Sequence, residues 1–350
     1  MKRTIIILSL FSTVSYQTVA QTYSEWIEAV DEYRPAPGQF VNTLPVATDA
    51  DTPATMAEKC TRILAGPLNQ QSEDDLGTMI TLGAWGGYVT FHFDHPIANI
   101  AGQKDLFIAG NAVTNGAEPG IVMVMKDENS NGRPDDTWYE LRGSCDEDSV
   151  GKLTFGYEIT YTRQSMADTP WKDNQGREGV VPRNAYHEDN EYYPLWISDD
   201  ELSFSGTLLP GNGIVRPVTG YYFLQQFAWG YVDNQPNTKE ELCSFDLAWA
   251  VDPVSREAVQ LDCIHFVRVY TALNQVGGNG VGETSTEVSG ARDLHLDASI
   301  AYMENTSGIR GVSSIGTPTA DNSVYDLRGR RVSGKPVKGI YIIGGKKHTF

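Results

Sequence analysis

The sequence predicts an all-β protein: an antiparallel β-sandwich with short N-terminal helices and a small β-rich C-terminal tail. Three observations lead there. From residue 76 onward apolar side chains alternate in short runs, and Gly, Pro, Asn or Asp bounds nearly every run. The composition, 34 glycines, 17 prolines and 17 tyrosines in 350 residues, favours strands joined by turns. No long helical periodicity separates the runs, which sets aside a helical bundle and a parallel α/β sheet.

The elements follow in chain order. Residues 1–20 read as a secretory signal: Lys2 and Arg3, an apolar run from Ile5 to Val14, then Thr18-Val19-Ala20 as a small-residue cleavage site. No cysteine follows that site, so no lipoprotein anchor is expected there. Residues 21–75 form a lead-in, with one short amphipathic helix expected over 23–32 from the spacing of Trp26, Ile27 and Val30, and a second over 57–64. The main domain is expected over 76–303. Its strand-like runs are LGTMITLG, GYVTFHFD, DLFIAGNAV, GIVMVMKD, TWYELRGS, YEITYTR, GYYFLQQFAWGY, FDLAWAV and IHFVRVYTAL. Residues 304–323, rich in Ser, Gly and Thr, read as a linker. Residues 324–350 carry two more strand-like runs, too few for an independent core of ordinary size.

Charge narrows the partners. The formal net charge is −18, and 43 of the 45 acids lie between residue 20 and residue 308. This charge argues against a nucleic-acid or anionic-membrane partner, because phosphate binding draws its affinity from Lys and Arg. No stretch beyond the signal reaches the length of a spanning helix. A body this acidic repels itself unless its carboxylates are dispersed, hydrogen-bonded or neutralised, which makes bound Ca²⁺ an expectation. Cys60, Cys145, Cys243 and Cys263 are even in number, with no C-x-x-C pair; disulfides and buried free thiols both stay open.

Several constellations carry chemistry. Asp127, Asn129, Asn131, Asp135 and Asp136 place oxygen ligands around Gly132, as a loop that wraps Ca²⁺ does, and resemble the first half of an EF-hand loop. Trp138 stands where that loop would end in a bidentate Glu. The alternative is a hairpin in which Asp and Asn cap their own turns. The stretch 170–197 is read as a long polar loop that carries Trp171, Tyr186, Tyr192, Tyr193 and Trp196, with Asp173, Asn174, Gln175 and His187 as orienting groups. Flat rings of this kind suit a sugar or a corrin, and they equally serve to pin a loop to the body. A second rim is expected from Trp85, Trp229, Tyr231, Asp233 and Asn234. His92, Asp94 and His95 offer metal-ligand types without a third partner for a zinc site. Glu283, Glu287 and Asp293 form another oxygen-rich set.

TLGAWGGYVTFHFDHPI (81–97), EPGIVMVMKDENSNGRPDDTWYELRGS (118–144) and GGNGVGETSTEVSGARDLH (277–295), with PAPGQFVN, PWKDNQG and FAWGYVDN, together resemble the Bacteroidetes secreted "cell surface protein" family over roughly residues 30–300. VYDLRGRRV and KGIYIIGGKK are similar to the C-terminal sorting tail of type IX secretion. The resemblance implies a jelly-roll β-sandwich and outer-membrane export with display or release at the cell surface. It also implies a role in nutrient uptake, with a corrinoid such as cobalamin as ligand and an outer-membrane transporter or surface lipoprotein as partner; no G-x-S-x-G, H-E-x-x-H, Walker or Rossmann motif appears, so a non-catalytic role is expected. A glycan-binding module, a structural adhesin and a surface glycoside hydrolase with paired carboxylates remain the alternatives.

Overall fold

The computed structural model describes residues 22–68, 77–147, 152–215, 222–278 and 281–306, together with 324–326, 332, 340–343 and 346–349. The expected signal segment and most of the expected linker lie outside these residues. The chain divides into two compact units, Met1–Met303 and Glu304–Phe350. The strand ladders of both are antiparallel, and the fold is all-β.

The first unit is organised around a six-stranded sheet. Its order is Ala29–Arg34, Tyr88–Ala98, Cys263–Thr271, Gly120–Met125, Trp138–Leu141 and Ala250–Val251. The central strands are covered on both faces, so their alternation is weak: Gly120–Met125 exposes only Met123 in part. On one face Val89, Phe91, Val122, Val124, Val267 and Val269 pack against helix α1 (Pro53–Leu64) and a three-stranded sheet made by Leu106–Ala109, Ser244–Phe245 and Gly290–Asp293. Helix α1 begins at a Thr52/Thr55 capping box with Pro53 at its first position, and it buries Met56, Cys60, Ile63 and Leu64.

The opposite face carries a four-stranded sheet in the order Glu201–Leu208, Thr154–Thr162, Thr169–Asp173 and Glu178–Val181. Trp85, Tyr157, Tyr161, Phe204 and Tyr270 fill this second interface. Glu140, almost fully buried, ties the two sheets. It accepts hydrogen bonds from the hydroxyls of Tyr270 (2.8 Å) and Thr207 (2.9 and 3.0 Å) and pairs with Arg256.

Two expectations are corrected. Residues 29–34 are an edge strand of the main sheet rather than part of a helix. A β-bulge between Val30 and Glu32 turns Val30 and Tyr33 both inward, so a strand acquires the three-residue apolar spacing of a helix. The stretch read as one long loop from 170 contains a hairpin. Thr169–Asp173 pairs with Glu178–Val181 across a turn in which Asp173 accepts the N–H groups of Gln175 and Arg177 and Gly176 has φ 75°. All four cysteines are buried, and none forms a disulfide. Helix α2 (Leu296–Thr306) follows the last strand of the first unit, and its Ser299 hydroxyl accepts the Ala98 N–H at 3.0 Å. The second unit shows a three-stranded meander of Val324–Asp326, Ile340–Ile343 and Lys346–Thr349.

Candidate functional site

Chemistry-bearing residues gather in three places. The first is an acidic centre where Glu118, Asp233 and Glu287 bring carboxylate oxygens within 4.8 Å of one another. Asp233 holds the centre together. Its Oδ1 accepts the Asn111 N–H at 2.7 Å, its Oδ2 accepts the Glu287 N–H at 3.0 Å, and its carbonyl accepts the Glu118 N–H at 2.9 Å. It does so from a left-handed backbone (φ 54°), a conformation that Asp tolerates better than most residues. Gly110 lies so close that a Cβ there would meet Asp233 atoms at 2.5–2.7 Å. Glu118 Oε1 accepts from Ser285 N–H (3.1 Å) and Glu287 Oε1 from the Thr81 hydroxyl (2.9 Å). Hard oxygens grouped in this way are the donor set of a cation such as Ca²⁺.

Burial pushes Asp233 up to about 7, against the hydrogen bonds from its backbone donors. Burial, then the neighbouring carboxylates, holds Glu118 and Glu287 well above the usual carboxylate range. Nearby Glu283 is pushed up to about 8 by burial, although Gln39 N–H donates to it at 2.6 Å. A carboxyl raised in the folded state contributes stability that is complete below about pH 4 and lost as the pH climbs through the raised value. In the presence of a chelator the protein is therefore expected to melt progressively lower from pH 5 to pH 8. Glu118→Gln keeps an acceptor for Ser285 and removes one charge. It is expected to raise the melting temperature at pH 8 by about 2–4 °C, the shift that about 1 kcal/mol produces in a large domain, and to narrow the gap between the two pH values. A melting curve whose pH dependence matches the wild type would count against it.

The second place is the twelve-residue connection between Gly120–Met125 and Trp138–Leu141. Asp127 accepts the N–H groups of Asn131 (3.1 Å) and Gly132 (2.8 Å), and Asp136 accepts that of Glu128 (3.0 Å). The amides of Asn129 and Asn131 donate to Asp135 and Asp136. All five predicted metal-ligating residues thus meet in one cluster, in which the hairpin caps its own turns. Among the described residues, the three carboxylates of this loop do not group as closely as those of the acidic centre. The loop is anchored to the central strand by Asp127 N–H donating to His265 Nδ1 at 3.2 Å. His92 pairs with Asp31 (2.8 Å), and His95 is held between Asp94 (2.7 Å) and Asp293 (2.9 Å), so these side chains already have carboxylate partners.

The third place is the face of the six-stranded sheet beside strand Glu201–Leu208. Two hollows open there on either side of Arg34. One, of about 260 Å³, is lined by Arg34, Tyr88, Met123, Ser203, Ser205 and Arg268. The other, of about 210 Å³, is lined by Arg34, Tyr33, Pro53, Trp196, Ile197 and Asp199, with Glu32 at its edge. Arg268 lies over the rings of Tyr88 (4.3 Å) and Trp138 (4.5 Å), donates to Thr90 Oγ1 at 2.9 Å and reaches Glu32 at 3.4 Å.

The predicted binding residues scatter. Trp196 borders the second hollow, stacked on Tyr33 at 5.7 Å. Tyr186 stands 77% exposed, and His187 packs edge-on against Phe40. Tyr192 and Tyr193 are buried. Their hydroxyls meet the Asn184 N–H and the Asp199 carbonyl locally, and Asn42, whose amide donates to the Glu191 and Tyr193 carbonyls, pins the loop to the body. Trp171 packs onto the second core, and Asp173, Asn174 and Gln175 shape their hairpin turn. Trp85 is fully buried between Tyr157 and Tyr270 rather than on a rim, and Tyr231 is likewise interior. Asn234 closes a tight loop through both backbone groups of Phe227. Trp229 instead meets Trp249 at 4.6 Å, beside an open pocket of about 580 Å³ bordered by Gln103, Lys104, Glu241 and Asp246. Sequence reading missed Glu118, Arg34 and Arg268. Glu118 follows a turn and precedes Pro119, and the two arginines sit on alternating strands where nothing local marks them.

No family model matches the chain, and no curated protein matches it at a significant level.

Proposed function

We propose that the protein is an exported, non-catalytic capture protein that holds a corrinoid at the cell surface for outer-membrane uptake, with Ca²⁺ steadying the Asp127–Asp136 hairpin. The observation that carries the capture reading is the pair of hollows flanking Arg34. A corrin is a broad, flat ring fringed with amides, and it asks for a wide shelf of aromatic, thioether and hydrogen-bonding groups rather than a deep cavity. Tyr88, Met123, Phe204 and Trp196 supply the flat apolar contacts, and the arginines supply donors. The basic signal, the sorting-like tail and the family resemblance support the export and uptake part of the reading.

A second reading, a glycan-binding module, is favoured by the Trp229–Trp249 pair, since a half-buried indole face beside Gln103, Glu241 and Asp246 suits the C–H face and hydroxyls of a pyranose.

Thermal melting of the purified protein separates these readings, because a ligand that binds only the folded state raises the midpoint by mass action. Cyanocobalamin at one hundred times its dissociation constant is expected to add about 2.7 kcal/mol. A shift with neutral glycans that Trp249→Ala removes would instead favour the second reading, and no shift with cyanocobalamin would sink the first. Millimolar Ca²⁺ is expected to raise the midpoint in the wild type but not in Asp127→Ala. A calcium shift that survives this substitution would move the ion to Glu118, Asp233 and Glu287.

A further inference from the structure

The arginines among the described residues are almost all matched. Among the described residues, Arg142, Arg163, Arg177, Arg256, Arg268 and Arg292 pair with carboxylates, and Arg183 donates to backbone carbonyls. That is the expected outcome in a chain with 45 acids and 27 bases, where a partner is close to every cation. The guanidiniums of Arg34 and Arg133 are the exceptions. Arg133 sits exposed at the tip of a hairpin, where water serves it. Arg34 is half-buried, at the wall between the two hollows, where no carboxylate and no carbonyl meets its five donors.

The lining of the hollow it shares with Arg268 holds no acid, although Glu32, two residues before Arg34 on the same strand face, accepts the Tyr88 hydroxyl at 2.7 Å and reaches Arg268 at 3.4 Å. Glu32 accounts for one arginine and leaves the other's charge unmatched. Ser203 and Ser205 border it only through the edge of their strand, since Phe204 between them faces inward and the Ser203 hydroxyl is engaged by Thr160 Oγ1 at 2.8 Å on the outer face. Two guanidiniums against the single carboxylate of Glu32 leave the hollow with a net positive charge in a molecule of net charge −18.

We propose that this hollow is an anion subsite, in which Arg34 forks onto a phosphate or carboxylate group of the captured molecule while Arg268, held in place by Tyr88 and Trp138, adds a second positive charge. The planar fork of an arginine matches both kinds of oxyanion through two parallel hydrogen bonds. The volume of about 260 Å³ accepts such a group with a small ring attached, and Tyr88 and Phe204 offer it aromatic faces. The inference deepens the capture reading and rests on it only for what carries the anionic group.

The probes are phenyl phosphate, benzoate and neutral benzamide, titrated calorimetrically into the full chain at low, matched ionic strength, with cyanocobalamin as a separate arm. Phenyl phosphate or benzoate is expected to bind and benzamide not to, which also tells phosphate from carboxylate. R34Q is expected to weaken the anion about ten-fold or more, the scale of a charge-assisted hydrogen bond, and R34K to restore part of it. R133Q is expected to leave it unchanged. Since no contact holds the Arg34 guanidinium, R34Q is expected to melt with the wild type, so a loss of binding is not a loss of fold. Absence of binding by both anions, or equal binding to wild type and R34Q, overturns the subsite even when cyanocobalamin binds. Arg34-dependent anion binding without any cyanocobalamin binding keeps the subsite and removes the corrinoid.

Discussion

Gly87→Ala is expected to prevent the protein from folding. The segment TLGAWGG turns back on itself so that Trp85 is driven between the two sheets, against Tyr157 at 4.6 Å and Tyr270 at 6.2 Å. That turn is held by Ala36 N–H donating to Leu82 O (3.0 Å) and by Gly86 and Gly87 exchanging hydrogen bonds with Thr271 (2.9 and 3.0 Å). A Cβ on Gly87 would lie 1.9 Å from Leu82 O and 2.2 Å from Ala36 N, both backbone atoms with no rotamer to escape into. Relief requires parting the edge segment from the turn and withdrawing Trp85, a loss of more than about 4 kcal/mol, where most single substitutions cost about 1. Gly176→Ala is the matched control. Its φ is 75°, yet nothing lies within 4 Å of the added carbon, so the penalty is backbone strain of about 1 kcal/mol. Soluble yield and near-ultraviolet circular dichroism of the two variants report the difference, and a native spectrum for Gly87→Ala would disprove the packing argument.

His95→Ala is expected to destabilise the protein by about 3–5 kcal/mol, the scale of removing one partner from a buried ion pair. The imidazole side chain is wholly buried, with a carboxylate on each nitrogen, Asp94 at 2.7 Å and Asp293 at 2.9 Å. Burial lowers its pKa, but the two hydrogen-bonded carboxylates outweigh that and leave it above the ordinary histidine value. Its contribution is therefore complete below about pH 6.5 and declines as the pH rises through the raised value. Truncation strands Asp293, which is also wholly buried, with a single backbone donor from His295 on its other oxygen. The loss in denaturant midpoint should be larger at pH 5.5 than at pH 9, and His95→Gln with Asp293→Asn should recover much of it. Equal losses at both pH values would mean that the imidazole is held neutral.

The strands were legible where one residue in two is apolar and a turn residue stands at each end. GYVTFHFD, GIVMVMKD, TWYELRGS and IHFVRVYTAL each contain the core of an observed strand. Local pattern misled where geometry broke its period, as at Val30 and Tyr33, whose bulge mimics a helical spacing. It also misled where a sheet faces water on one side. Glu178–Val181 reads EGVV and Thr169–Asp173 reads TPWKD, too polar to announce strands at the outer edge of the smaller sheet. The aromatic residues of 182–200 carried the right composition for a binding loop, yet burial of Tyr192 and Tyr193 depends on docking sites far away in sequence. The acidic centre combines residues 118, 233 and 287, and the groove combines 34, 88, 203 and 268. Separations of that size leave no local trace, whereas the Asp127–Asp136 hairpin was readable because all its groups lie within ten residues.

The strand Cys263–Thr271 occupies the middle of the main sheet, between Tyr88–Ala98 and Gly120–Met125. Its neighbours are synthesised well over a hundred residues earlier, so they emerge from the ribosome with their shared partner still missing. Such long-range pairing makes for slow folding, because the entropy of closing large loops is lost before contacts repay it. The main sheet of a nascent chain therefore cannot close until residue 271 has been made. The placement of that one strand thus makes closure of the main sheet a late event of chain synthesis rather than an early one.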